Sequence, residues 1–499
     1  MKKAVRILGC FFTVCLTIGL LVPLTNLTER KSSDSKYADF FRDRDYDVLF
    51  MGSSHVINGV FPMELWNEYG ITSYNFGGHS NYLPTTYWVM ENALDYVTPE
   101  VIVIDCLMLS SDLKGTGTFS YLHQSLDAFP LSLKKIKAVW DLLDDPAFEK
   151  KESAGNTGKR EEPRTRIGLL WDFSVYHSRW NELTKDDFMP SSNKEKGAES
   201  RIAVVPAELK KIDPDIVTEP DHVGETYLCK MIESCQKRGI NVVLMYLPFP
   251  ASEIQQADAN AVYDIAEDFG VPYINFLDLE GIIDYQTDLS DENSHVNPSG
   301  ARKITSYLGQ FLAEQYNLRD KRNEPDYSYW NTDYKKYEAL KKKNLVKQED
   351  MVKYLMLLSG DNTDTVFYVQ NKDIFHNKLI MDLLRNTGIN TDELNGNTDF
   401  ILVNNQKKEA VVLDNFTEEG STEKTIFGDV AVSRIKNEEE GTDSLVLAVN
   451  NQERIRIEEN SNPGMQINVY RHGDLVDSVY FVYTVNPSTT KIKTLSVAR

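Results

Sequence analysis

The chain has little of what would tie it to disulfides, metals or nucleic acid. Only five cysteines occur in 499 residues. Cys10 and Cys15 fall in an apolar N-terminal segment, and Cys106 closes an apolar run. Cys229 and Cys235 sit on one expected helix, pointing to different faces. This pattern supports neither a disulfide framework nor a zinc site. With eight histidines and no carboxylate cluster at ligand spacing, neither a metal nor another cofactor is called for. Basic residues are also outnumbered: 54 Lys and Arg against 75 Asp and Glu leave a net charge of −21. Nucleic-acid binding rests on Lys and Arg neutralising phosphates, so that partner is excluded. The same charge excludes docking of the folded part on anionic headgroups, and its bland consequence is solubility.

One long hydrophobic run stands apart. Ile7–Leu24 is 18 consecutive uncharged positions, preceded by Lys2, Lys3 and Arg6. That length suits a membrane span, and the positive flank places the N-terminus inside. No small-x-small cleavage site follows the run, which argues against a removed signal peptide. Ile-Leu-Gly-Cys10 has the look of a lipobox but precedes most of the apolar segment. The expectation is an uncleaved transmembrane signal-anchor over residues 1–30, in the cell membrane as a single pass, with the rest of the chain extracellular.

At this length two or three domains are expected, and 41% apolar residues suffice for globular cores. After a polar linker at Ser32–Arg44, apolar runs alternate with helical patterns. Val48–Met51, Ile71–Phe76, Pro99–Asp105, Asn241–Tyr246 and Tyr273–Leu277 read as strands. Phe61–Tyr69, Leu83–Tyr96, Leu131–Leu143, Glu225–Arg238, Ala259–Phe269 and Pro298–Tyr316 read as helices. Such alternation predicts an α/β fold, a three-layer α/β/α doubly wound parallel sheet of flavodoxin-like type. Glu149–Arg166 and Met189–Ala207 read as polar insertions. Between them the aromatic-rich stretch Trp171–Trp180 either walls an acceptor site or packs an insertion onto the domain.

Val48–Met51 stops at Gly52, followed by Ser53, Ser54 and His55. Chemistry in parallel sheets collects beyond the carboxyl ends of strands. A serine there is a nucleophile only if a base reaches it. His295, in Asp291-Glu-Asn-Ser-His-Val-Asn-Pro-Ser-Gly300, follows the last strand and supplies one. Gly52-Ser-Ser-His55 resembles the first block of the SGNH (GDSL-type) hydrolase superfamily, closest to the Gly-Ser-Ser variant of its DltD-like branch of cell-surface acyl-transfer proteins. That resemblance implies an SGNH-like sheet domain over residues 31–320, with Ser54 as nucleophile and His295 as base. The family's Asp-x-x-His spacing puts Glu292 in the acid position, with Asp291 one residue further back. Either carboxylate can orient the imidazole. The resemblance also assigns the oxyanion hole to the backbone N–H groups of Ser54 and Gly77. The usual Gly-x-Asn block is missing after Asp105, and Asn81, Ser110 or Ser111 stand as substitutes. His55, His79 and Asn81 flank the expected site as substrate-binding candidates, or are plain loop residues. Asn297 is expected to fix the loop.

Residues 321–348 read as a connector, and 349–499 as a β-rich α+β accessory domain with short alternating strands, Asn-Gly and His-Gly turns, and a helix at Asp373–Thr387. Pro463–Tyr470 and Asp477–Phe481 resemble the ILEI fold, which implies binding and not chemistry. Two functions follow. The first is a membrane-anchored extracytoplasmic acyltransferase or esterase acting on a cell-surface polysaccharide or teichoic-acid-like polymer, served by a membrane-bound acyl-transfer partner. The second is a non-catalytic surface protein that keeps the scaffold for binding.

Overall fold

The protein is described by a computed structural model covering residues 2–28, 31–115, 119–144, 166–171, 173–188, 193–219, 221–292, 295–361, 365–370, 374, 377–387, 398–404, 409–414, 421–425, 428–437, 442–458, 463–471, 474–486 and 491–499. The loop expected at Glu149–Arg166 therefore lies outside the described residues except for Arg166. Two compact units emerge: residues 1–199, 209–282 and 304–334 form the first, and residues 200–208, 283–303 and 335–499 the second. The His295 loop thus groups with the C-terminal region, although the sequence places it with the sheet.

The first unit is built on the apolar runs. β1 (Val48–Gly52), β2 (Ser73–Gly77), β3 (Val101–Asp105), β4 (Asn241–Tyr246) and β5 (Tyr273–Asn275) form one sheet in the order β2-β1-β3-β4-β5. All pairings are parallel, with Val48 facing Ser73 on one side and Val101 on the other. Every residue of the first three strands is buried. That burial is why they read as near-continuous apolar runs. Strand order reverses between β1 and β3, the place where such sheets open a crevice at their carboxyl ends.

One expectation for the N-terminal region changes. Ser32–Arg44 is not a linker: Lys31–Asp43 is helical. Its Tyr37 and Phe40 are fully buried, packing on Phe76 and Phe129, and Phe40 also meets Tyr46 and Tyr74. Its Asp43 receives the buried Lys196 ammonium at 2.8 Å, which Asp333, far along the chain, shares at 2.7 Å. Lys2–Thr28 is one helix, with Ile7, Leu8, Phe11, Phe12 and Leu20 exposed. Among the described residues no helix is long and apolar enough to cross a membrane. The described side chains of this helix stop at Leu20, short of the end of the apolar run.

In the second unit the helix Met351–Leu358, capped by Asp350, is buried along most of its length. Tyr354, Leu355 and Met356 pack with Ile467, Val469, Val479 and Phe481 in one core. The strands are antiparallel, in a six-stranded sheet and a separate four-stranded one. The helix expected at Asp373–Thr387 forms at Lys378–Arg385, where Asn377 accepts from the Ile380 N–H.

Candidate active site

The chain leaves β1 through a tight corner. A Cβ on Gly52 would lie 2.7 Å from Val56 Cγ2 and 2.8 Å from Asp105 Cβ, so only glycine fits. Ser53 then caps the short helix Ser54–Gly59: its Oγ accepts from the His55 N–H at 3.2 Å and donates to Asp105 Oδ2 at 3.4 Å. Ser53 is buried, whereas Ser54, the first residue of the helix, is half-buried. Burial lifts the Asp105 carboxyl to about 7, with hydrogen bonds from Leu247 and Ser53 working against the rise. The carboxyl ends of β1 and β3 therefore share one buried Ser–Asp contact directly behind Ser54.

The expected oxyanion donor on β2 is otherwise engaged. The Gly77 N–H donates to Asn75 Oδ1 at 2.9 Å, and the Gly78 N–H to Gly52 O at 3.0 Å. Asn75 is itself fixed, its Nδ2 donating to the carbonyls of Val56 and Val60. Gly77 is required for another reason: a Cβ there would stand 2.6 Å from Ile57 N and 2.7 Å from Ser53 O. Its carbonyl accepts from Lys36, a buried lysine whose ammonium burial lowers to about 8 against the opposing pull of Glu199.

The flanking candidates divide. His55 is buried, its ring 4.6 Å from that of Phe249. His79 remains partly exposed, with Nε2 3.5 Å from Glu199 Oε2 and its ring 5.7 Å from Tyr121. Asn81 is buried; its Oδ1 accepts from Ser125 at 2.9 Å, while its Nδ2 lies against Gly78 with no hydrogen-bond partner among the described residues. Ser110 is spent on Asp258 at 3.0 Å, and Ser111 Oγ accepts from the Leu113 N–H. Of the three substitutes for the missing block, Ser110 has spent its donor, whereas Asn81 Nδ2 and the Ser111 hydroxyl donate to no group among the described residues. In the aromatic-rich stretch Trp171 and Trp180 are exposed and Arg179 binds Asp187 at 2.8 Å; the His177 side chain lies outside the described residues.

The histidine lies in the second unit. A Leu289–Val296 bridge narrows its loop, and Ser290 N donates to His295 O at 2.8 Å. Asn297 fixes the base of the loop: its Nδ2 reaches the carbonyls of Thr287, Ala203 and Leu289, and its Oδ1 accepts from Ser299 and Gly300. His295 Nδ1 stands 2.7 Å from Asp291 Oδ2, and the His295 N–H donates to Asp291 Oδ1 at 3.2 Å. Glu292 is exposed. Spacing favours Glu292, but the bond is made by Asp291, because the chain turns so that the carboxylate four residues back lies beneath the ring.

Three charged residues near these groups escaped the sequence reading. Lys36 lies in a stretch whose polarity masks its helical face. Asp105 reads as the polar end of a strand. Arg201 is 94 positions from His295, yet its Nη1 lies 2.7 Å from His295 Nδ1 and 3.2 Å from Asp291 Oδ2. No sequence signal links Arg201 to that loop. All five cysteines are unpaired. No protein-family model matches the chain, and no curated protein matches it.

Proposed function

We propose that the chain is a serine acyl-transfer enzyme of SGNH type, with Ser54 as nucleophile and His295, oriented by Asp291, as general base. The Asp291–His295 hydrogen bond at 2.7 Å carries this reading. A carboxylate on Nδ1 keeps the proton on that nitrogen, leaving Nε2 to take one from a serine. Ser54 Oγ would attack the acyl carbonyl as its proton passes to Nε2. Collapse of the tetrahedral intermediate then returns that proton to the leaving oxygen and leaves an acyl-serine. A polymer hydroxyl or water, deprotonated by the same nitrogen, takes the acyl group in the second half. Asn81 Nδ2 is the donor we assign to the developing oxyanion, alongside the Ser54 N–H.

The acceptor in this proposal is a cell-surface polysaccharide or teichoic-acid-like polymer. Acyl-CoA is not expected outside the membrane, so a membrane-bound partner would hand the acyl group across. The exposed apolar side chains of the helix Lys2–Thr28 support its use as a signal-anchor. The competing reading, a non-catalytic binding protein on the same scaffold, is favoured by the engagement of the Gly77 N–H.

Labelling with a fluorophosphonate separates the two. The wild type should label, and Ser54→Ala should not. Ser53→Ala should still label but lose about 1 kcal/mol of stability with its cap. Absence of labelling in folded wild type would favour the binding protein.

A further inference from the structure

We infer that Arg201 sets the tautomer and basicity of His295, a role that rests on His295 being the base for Ser54. An imidazole nitrogen carries either a proton or an in-plane lone pair, never both. Asp291 Oδ2, 2.7 Å from Nδ1, calls for the proton; Arg201 Nη1, also 2.7 Å away, calls for the lone pair. The two demands exclude each other. With the proton on Nδ1, the ring bonds Asp291, Nε2 carries the lone pair a base needs, and Arg201 turns its N–H to Asp291, already 3.2 Å away. With the proton on Nε2, Nδ1 accepts from Arg201 and the ring has no base to offer. A guanidinium does not lose its proton in proteins. Its charge therefore opposes imidazolium at every working pH and offsets the opposite pull of Asp291.

The main chain presents Arg201 on purpose-built support. Residues 200–208 run beside the His295 loop, with Val205 N donating to Leu289 O at 3.0 Å and Ala207 N to Tyr285 O at 2.9 Å. Ala203 O accepts from Asn297, the residue that fixes the loop, and Ile202 and Val204 pack on the unit's core. The side chain is different: it is 44% exposed, and its partners among the described residues are Asp291 and His295. Those two partners are the pair whose chemistry is at issue. Among the described residues, the charged groups against the imidazole are Asp291 and Arg201, and Glu292 is exposed.

The experiment follows the His295 ring by NMR in the full chain, its signal assigned by loss in His295→Gln, alongside the pH profile of kcat/KM on an aryl ester. In Arg201→Gln the His295 midpoint should rise by about one pH unit, as removal of an adjacent, partly solvated cation requires. The acid limb of the profile should move up with it. Arg201→Lys, which keeps the charge, should stay closer to wild type. An unmoved or lowered midpoint in Arg201→Gln overturns the inference. So does failure of that variant to fold, since it would make Arg201 a structural residue. The NMR readout keeps this test apart from the functional reading. A shifted midpoint in a protein that never labels at Ser54 would refute the enzyme and leave the Arg201–His295 coupling standing.

Discussion

Asp291→Asn is the sharpest test of the histidine's orienter. The substituted amide still accepts the His295 N–H at the loop backbone, where Asp291 Oδ1 now does so at 3.2 Å, so the fold should survive. What changes is the contact at 2.7 Å with Nδ1. A charged acceptor becomes a neutral amide, which can as readily offer an N–H and so favour the tautomer with its proton on Nε2. In buried serine triads that exchange costs about 10⁴ in turnover. Asp291 is 27% exposed and shares Nδ1 with Arg201, so water and the guanidinium recover part of the loss. A charge-assisted hydrogen bond of about 1.5–3 kcal/mol sets the floor at roughly 10–100-fold. The expected fall in kcat/KM on an aryl ester at neutral pH is therefore about 10²–10³-fold. Glu292→Gln, at an exposed position, should stay within about threefold, the scale of surface substitutions. The reasoning fails if Asp291→Asn keeps activity within about tenfold, or if Glu292→Gln loses more than Asp291→Asn.

Three further outcomes are expected. Burial alone would lift the Asp361 carboxyl, but Lys341, Arg302 and Arg471 hold it well below its ordinary value of 3.8; Lys341 lies 3.0 Å away and Arg471 bonds the other oxygen. Its stabilisation is thus complete above that ordinary value and lost as pH falls through the folded one. Asp361→Asn should cost about 3 kcal/mol in urea titrations at neutral pH, with the gap narrowing in acid; a gap that does not narrow rules out this ion cluster as the cause. Asp105 has the opposite sign, its folded pKa of about 7 lying above its ordinary 3.8. The folded state then holds an extra proton between those values and loses stability as pH rises through them. The Tm of Asp105→Asn relative to wild type should accordingly climb across that window, and a flat difference would mean the carboxyl is ionised there. Finally, the native protein should fractionate with membranes and begin at or near Met1; a start beyond Leu24 would mean a cleaved leader.

What the sequence revealed about the sheet and withheld about the site has one physical origin. Strands buried on both faces must be apolar throughout, so Val48–Met51 and Asn241–Tyr246 announce themselves, and Pro298–Tyr316 matches its expected bounds. Edge strands such as Ser421–Thr425 and Gln452–Glu458 carry no such apolar signature, because edges are kept polar. Lys31–Asp43 was missed because its charges are paired by Lys196 and Asp333, residues far along the chain. Arg201 was hidden for the same reason. Spacing in a motif reports which residues a family uses, whereas the Asp291 bond depends on how one loop turns between Leu289 and Val296.

The paired serines show how far local geometry can separate two identical side chains. Ser53 spends both capacities of its hydroxyl inside the protein, accepting from His55 N and donating to Asp105. A nucleophile must instead turn its lone pair to substrate and yield its proton to a base. Doing so would cost Ser53 the helix cap and take one hydrogen-bond donor from a buried carboxyl, a loss of about 1–3 kcal/mol. Ser54, one position on, has no capping duty and is half-buried, not enclosed. The corner at Gly52 makes this division possible, because the close approach of Val56 and Asp105 fixes the direction in which Ser53 must point. If Ser53→Ala rather than Ser54→Ala abolished fluorophosphonate labelling in folded protein, that division of roles would be reversed.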